Sequence, residues 1–193
     1  MTGKILENNI FWYLYKKLSP ERYDHTICVC DLAVRLALKN NEDVYNVQLA
    51  ALLHDCAKDM SLQESKKYVL NRKLNIKYSD FLLCYAPQVL HSYIGADIAK
   101  NKFKIRNKDI LNAIENHTVG RINMSVCEKI IFVADFMSPD RKFKRNFSNN
   151  KKYLSGNLNE AFKYVLQNKI NNIVSKFQML HPDVINIWNY YNK

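Results

Sequence analysis

Apolar residues recur along this chain at intervals of three and four positions, which is the spacing of one face of an α-helix. The pattern predicts helices around residues 6–14, 27–38 and 47–53, and the first of them should end near Ser19 and Pro20. The chain has only four Gly and four Pro, which leaves little material for hairpin turns. The sequence therefore predicts an all-α fold.

Capping signals place the remaining helices. Ser61-x-x-Glu64 and Ser125-x-x-Glu128 are capping boxes, predicted to open helices that run to about Arg72 and to just before Pro139. Further helices are predicted from His91, after Pro87, to about Phe103, from Asn107 to His117, from Asn157 to His181 and Pro182, and at the C-terminus. The segment 142–155 is predicted to be a mobile loop.

The length of 193 residues fits one domain, and no repeat or linker divides it. An apolar content of 48% with a mean hydropathy of −0.33 is typical of a globular, soluble protein. No segment resembles a signal peptide or a membrane span. The five cysteines are odd in number and never spaced Cys-x-x-Cys, which favours reduced thiols and predicts a cytoplasmic location. The lack of a membrane span predicts that the protein has no membrane partner.

The formal net charge is +11, which indicates an anionic partner, either phosphates or nucleic acid. An AT-rich codon composition would produce the same excess, since Lys, Asn, Ile and Tyr are all abundant. No basic block is longer than the four residues 142–145, so no nucleic-acid-binding arm stands out. The absence of a Gly-rich loop argues against a P-loop or Rossmann nucleotide binder.

Potential metal ligands follow one another in order near the ends of the predicted helices. They are His25, His54 with Asp55, His91, His117 and Asp135. Imidazoles and carboxylates together bind a divalent cation that can activate water against a phosphate. Any one of these residues alone would be interpreted as a satisfied polar group of the core, but together they indicate a metal site.

Two apolar runs support this interpretation. Asp55 comes soon after Leu52 and Leu53, and Asp135 directly follows the apolar run 131–134, so both carboxylates should be buried and should need a cation, a partner or a metal. The third helix is expected to carry His54 and Asp55 in its C-terminal half, where their side chains diverge by about 100° and would reach a metal from two flanks. His25 and Asp135, from two other helices, would complete the site.

The order His…His-Asp…Asp resembles the HD superfamily of metal-dependent phosphohydrolases. The segments 51–58, 90–96, 113–121 and 124–141 resemble the YqeK family within it, and the match extends from about residue 22 to 141 and more weakly to the C-terminus. The chain is therefore expected to be a single HD-type helical domain over residues 1–193, with C-terminal helices at about 157–190. Ser92 and Asn123 stand where the family often has Gly.

The resemblance implies a bacterial enzyme that hydrolyses diadenosine tetraphosphate symmetrically into two ADP. It implies one or two divalent ions, with iron expected and manganese or another ion as alternatives. His25, His54, Asp55 and Asp135 would be the ligands, and Lys58 would reach a phosphate.

Other residues of the matching segments are assigned in the same way. His91 and His117 would bind either a second metal or a phosphate. Thr118, Gly120 and Arg121 form a polar turn that could hold phosphate, and Arg141 supplies a further cation.

Two alternatives stay open at this point. One is an HD phosphohydrolase with another nucleotide substrate, although the Gly-Tyr-Pro tripeptide usual in the cyclic-dinucleotide branch is missing. The other is a basic protein that binds RNA or a ribosomal partner and has a structural metal. A homodimer is left open in every case.

Overall fold

The computed structural model describes residues 3–140 and 152–193, and over these residues the chain is helical without any strand, as predicted. The helices are α1 (Gly3–Lys17), α2 (Pro20–Lys39), α3 (Val44–Leu53), α4 (Leu62–Arg72), α5 (Ser79–Tyr85), α6 (Leu90–Asn101), α7 (Lys108–Asn116), α8 (Val126–Met137), α9 (Leu158–Val174) and α10 (Val184–Tyr191). A short 3₁₀ turn, Pro87–Val89, precedes α6. No helix in the described part is long and apolar enough to cross a membrane.

Local side-chain caps begin most of these helices where the sequence predicts them. Both capping boxes form, with Ser61 and Ser125 accepting from the backbone N–H of Glu64 and Glu128, and each glutamate bonded in return to the N–H of its serine. Asn107 accepts from the N–H of Asp109 at the start of α7. These bonds satisfy orphan amides of the first turn and set the starting point of each helix.

The structure differs from the predicted helices in four places. α5 is missing from the prediction, because it begins after Tyr78 in a left-handed conformation without a side-chain cap. α9 ends at Val174, not near His181, since the chain turns there and Phe177 takes a φ of +53°. α3 ends at Leu53, so His54 and Asp55 lie in the turn that follows it and not within the helix. Of the predicted loop, residues 152–155 are helical and 142–151 lie outside the described residues.

The core brings the helices of the motif-bearing segment together. α2 packs against α3 and α8, α7 against α6, α3 and α8, and α9 covers α8. Gly95 permits the close approach of α6, because a Cβ there would lie 3.2 Å from Cγ2 of Ile114 and 3.3 Å from the carbonyl oxygen of Leu53. This packing places the end of α3, the start of α6 and the end of α7 side by side.

Candidate metal centre

His54 lies in the turn after α3 and is fully buried. Its Nδ1 is 2.6 Å from the carbonyl oxygen of Ala51, three residues earlier. A carbonyl can only accept, so the proton of the neutral imidazole lies on Nδ1 and the Nε2 lone pair is free. Nε2 is buried and has no hydrogen-bond partner in the described part of the chain.

The same backbone contact orients two other histidines. His91 Nδ1 lies 2.5 Å from the carbonyl oxygen of Gln88, and His117 Nδ1 lies 2.7 Å from that of Ile114. Each ring therefore also presents an unprotonated Nε2, and these two nitrogens are 3.1 Å apart. Two lone pairs at that distance repel each other unless a cation lies close to both, which is an arrangement suited to a metal ion.

His25 is held by a carboxylate. Its Nδ1 donates to Asp140 Oδ2 at 2.7 Å, while its Nε2 lies 3.3 Å from Asp135 Oδ1. A carboxylate behind a ligating histidine fixes the ring and increases the basicity of its other nitrogen. The neighbouring Ser138 hydroxyl lies 3.5 Å from Nδ1.

Asp55 is the common member of the whole group. Its Oδ1 lies 3.0 Å from His91 Nε2 and 3.4 Å from His117 Nε2, and its Oδ2 lies 3.7 Å from His54 Nε2. We call these residues, with His25 and Asp135, the His/Asp cluster. The cluster contains two sets of potential ligands, and within each set the ligand atoms lie within 4.8 Å of one another. The first set is His25, His54, Asp55 and Asp135, and the second is Asp55, His91 and His117. Asp55 belongs to both.

The protonation states suit a metal centre. Burial lowers the pKa of His54, and it lowers that of His117 to about 4, so both rings are neutral near pH 7. Burial opposes ionisation of Asp55, but the imidazoles of His54, His117 and His91 outweigh it and hold its pKa well below the ordinary value. Neutral imidazoles around an ionised carboxylate are the form in which these side chains bind metal. The donor set and the unpartnered His54 Nε2 therefore fit a divalent ion.

Among the residues that the structure describes, three cationic side chains lie beside the cluster. Arg22 Nη1 donates to Asp55 Oδ2 at 2.9 Å. Lys58 Nζ lies 3.2–3.3 Å from both ring nitrogens of His91, and it is 4.0 Å from Asp55 Oδ1. Lys169 Nζ donates to the carbonyl oxygen of His117 at 2.7 Å and lies 3.7 Å from Asp135 Oδ2. A phosphate at the cluster would meet positive charge from several directions.

The other predicted phosphate contacts are Thr118, Gly120, Arg121 and Arg141. Arg121 donates from Nε and Nη2 to the fully buried Glu128, at 2.7 and 2.6 Å, instead of facing the His/Asp cluster. Thr118 Oγ1 is buried without a hydrogen-bond partner among the described residues. Gly120 takes a φ of +83° in the same turn. Arg141 lies outside the described residues.

Sequence reasoning did not assign Arg22, Asp140 or Lys169 to the site. Arg22 had a local signal, since it lies three positions before His25 on one face of α2. Asp140 belongs to the last matching segment, in which only Asp135 and the neighbouring Arg141 were predicted to take part in the site. Lys169 had no signal, because it reaches the cluster from α9, 52 positions after His117.

Residues 22–140 match the HD domain family model. The chain belongs to the HD domain family. The resemblance noted from the sequence is thereby confirmed, and the matched range contains every member of the His/Asp cluster.

Two relatives that align with most of this HD domain protein have the same name. A "Bis(5'-nucleosyl)-tetraphosphatase, symmetrical" of Bacillus subtilis is 31% identical over 91% of both chains, and one of Halalkalibacterium halodurans is 35% identical over 89% of both. A solved structure from Clostridium acetobutylicum, described as a "predicted HD superfamily hydrolase involved in NAD metabolism", is 36% identical, covers 96% of both chains and has a TM-score of 0.87.

Proposed function

We propose that this HD domain protein is a metal-dependent hydrolase that cleaves diadenosine tetraphosphate symmetrically into two ADP. The observation that carries the proposal is the pair of overlapping ligand sets that share Asp55. The identity of the proposed substrate comes from the names of relatives that align over about nine-tenths of both chains. The cationic surroundings of the cluster suit a substrate with about four negative charges.

The donor chemistry supports two divalent ions. His25, His54, Asp55 and Asp135 would hold the first, and Asp55 would be shared with a second that is held also by His91 and His117. Imidazole and carboxylate donors suit iron, which we propose as the metal, and also manganese or zinc. Cys56 belongs to neither set, and burial raises the pKa of its thiol, so a thiolate ligand is not expected. A bound ion would act as a Lewis acid toward a phosphoryl oxygen and would lower the pKa of a coordinated water.

The chain's own residues position and neutralise the substrate. In symmetric cleavage, a water oxygen bonds to one inner phosphorus while the bridging bond from that phosphorus to the oxygen of the other inner phosphate breaks. The charge that develops on this leaving oxygen must be stabilised. Lys58 is suited to this role, because its nearest carboxylate oxygen is 4.0 Å away and its side chain is 30% exposed. Arg22 and Lys169 already donate hydrogen bonds to Asp55 and to the carbonyl oxygen of His117. They are therefore better suited to positioning these two residues of the cluster.

Product analysis alongside metal analysis tests the proposal. The purified protein should contain iron or accept it, and an early time course with diadenosine tetraphosphate should give ADP as the sole product. Equal amounts of AMP and ATP would indicate attack at an outer phosphate and would overturn symmetric cleavage. A panel of mononucleotides and cyclic dinucleotides separates the proposal from another HD substrate. The lack of any turnover, combined with tight RNA binding, would favour the RNA-binding alternative.

The cysteines support a cytoplasmic location as part of the proposal. All five are free, and three of them, Cys30, Cys56 and Cys127, are buried. Free buried thiols are typical of a reducing compartment. Localisation of a tagged protein by cell fractionation would check this.

A further inference from the structure

We propose that a recess beside the His/Asp cluster binds the nucleoside of one half of the substrate. The recess has a volume of about 280 Å³ and lies between the turn after α3, the start of α4 and the 3₁₀ turn before α6. We call it the α4 recess. The inference rests on the proposed function, because it assumes that the cluster acts on a nucleotide.

The recess is joined directly to the cluster. Two of its lining residues, Lys58 and His91, also face Asp55, with Lys58 Nζ 4.0 Å and His91 Nε2 3.0 Å from Asp55 Oδ1. A nucleoside in the recess would therefore have its 5′ phosphates directed toward Lys58 and the metal ligands. This is the geometry that a substrate with a polyphosphate attached to each 5′ position requires.

The walls of the recess are largely apolar. Ala57, Met60, Leu62 and Pro87 line it, and Leu62 is 50% exposed although it is a large apolar side chain. Apolar walls with a few polar groups are typical of small-molecule sites. An aromatic base packed against Leu62 and Met60 would remove this surface from water.

Ser65 supplies a polar group without a partner. It lines the recess from the second turn of α4 and is only 6% exposed. Its backbone N–H is bonded to the carbonyl oxygen of Ser61, but its hydroxyl has no hydrogen-bond partner in the part of the chain that the structure describes. Because Ser65 lines the recess, this hydroxyl can donate to a ring nitrogen of a base or accept from its amino group.

A larger cavity of about 710 Å³ is a weaker candidate for the nucleoside. It is lined by Asn75, Tyr93 and Asn186 among others, and it contains no member of the His/Asp cluster. The α4 recess is smaller than the roughly 300–1,000 Å³ of pockets that enclose a whole drug-sized ligand. It suits one nucleoside and not the complete dinucleotide.

The test substitutes one lining residue of each cavity and measures the effect on substrate binding. In the metal-loaded enzyme, Ser65→Leu should raise KM for diadenosine tetraphosphate at least about 10-fold, with a smaller change in kcat, because the base is bound remotely from the bond that breaks. Ser65→Ala should raise KM by about 3- to 10-fold through loss of one hydrogen bond. Asn186→Leu, a matched control on an exposed residue of the larger cavity, should leave KM unchanged.

Two binding measurements separate the recess from the phosphate site. Calorimetric titration with ADP should show weaker binding to Ser65→Leu, whereas inhibition by tripolyphosphate, which has no nucleoside, should be the same as in wild type. Unchanged KM and ADP affinity in Ser65→Ala and in a folded Ser65→Leu would overturn the inference, as would an effect confined to Asn186→Leu. If wild type binds ADP through Ser65 but does not cleave the dinucleotide, the recess stands and the proposed function fails.

Discussion

At the scale of single residues, the site depends on Asp55. It is 2% exposed, and three imidazoles and the Arg22 guanidinium lie around its two oxygens. An ionised carboxylate is stable at such a depth only where positive charge and hydrogen bonds compensate for lost hydration. Asp55 belongs to both ligand sets, so its removal should affect both.

Replacing Asp55 by Ala is expected to remove bound metal and abolish hydrolysis while the helical fold is kept. Loss of a group that only supports a ligand costs about 10- to 100-fold, so loss of the shared ligand should cost more than about 100-fold in turnover. Elemental analysis, kcat and circular dichroism check this. Asp80→Ala, at an exposed aspartate, is the control. Stoichiometric metal with near-normal turnover in Asp55→Ala would show that the site is wrong.

The histidines should divide into two groups. His54→Ala is expected to remove the metal of the first set, whereas His91→Ala or His117→Ala should remove only a second equivalent or mainly lower turnover. The reason is that His91 and His117 belong only to the second set, which they form with Asp55, whereas His54 belongs only to the first. The metal-to-protein ratio of the three variants decides this. Complete metal loss in all three would indicate a single shared cluster in place of two sites.

Lys58→Ala is expected to slow hydrolysis without any change in metal content, because a protonated amine is not a ligand. A lost hydrogen bond to a charged group is worth about 1.5–3 kcal/mol, which corresponds to roughly a 10- to 150-fold lower rate. Lys67→Ala, at an exposed lysine of α4, should behave like wild type. Arg141→Ala is predicted to resemble Lys58→Ala on the basis of the family resemblance alone. A normal rate in Lys58→Ala would exclude its role at the leaving oxygen.

At the scale of elements, the two capping boxes have the same sequence pattern and different surroundings. Glu64 at the start of α4 lies at the surface, while Glu128 at the start of α8 is fully buried and pairs with Arg121. Helix α8 carries Asp135, so its position bears directly on the site. The Glu128 carboxylate therefore joins a local cap to the turn after His117.

Glu128→Gln is expected to destabilise the protein by about 2 kcal/mol, below the roughly 3–5 kcal/mol of a fully buried pair because the Arg121 side chain is 38% exposed. The Arg121 guanidinium would lose its countercharge, although Gln keeps the shape of the Glu128 side chain. Glu64→Gln makes the same chemical change at the exposed box and should cost less. Urea denaturation of both variants measures the difference. Equal effects would mean that the Arg121 pair adds nothing to the cap.

At the scale of the whole molecule, the His/Asp cluster connects distant segments. Its members come from α2, the turn after α3, α6, the end of α7 and α8, so a bound ion would cross-link most of the motif-bearing core. Metal that binds the folded chain and not the unfolded chain stabilises it by mass action.

Removing metal with a chelator is therefore expected to lower Tm. At a free metal concentration of 100 times Kd the stabilisation is about 2.7 kcal/mol, which corresponds to roughly 5–10 °C for a chain of this size. Scanning calorimetry with and without metal measures the shift. Asp55→Ala should unfold at the same temperature in both conditions. If the Tm of the wild-type protein did not depend on metal, the proposal that a bound ion links the helices of the core would be contradicted.

Most of the helical architecture could be predicted from sequence, because it depends on interactions within four residues. Apolar spacing and the caps at Ser61, Asn107 and Ser125 are local signals, and the structure follows them. Where the local signal was missing, as at α5, or misleading, as at the end of α9, the prediction failed. The residue types of the cluster were also evident, because carboxylates that follow apolar runs are expected to be buried, and histidines near helix ends can join them around a metal ion.

Only the tertiary structure decided how those residues meet. The tautomers of His54, His91 and His117 depend on carbonyls presented at helix ends, and the pairs Arg22–Asp55 and His25–Asp140 join residues 33 and 115 positions apart. Lys169 reaches the cluster, and Arg121 turns toward Glu128, for reasons of packing that no local pattern records. Sequence determined which groups are available because helix formation is local. Packing decided which of them converge, since contacts between distant segments depend on how the helices fit together.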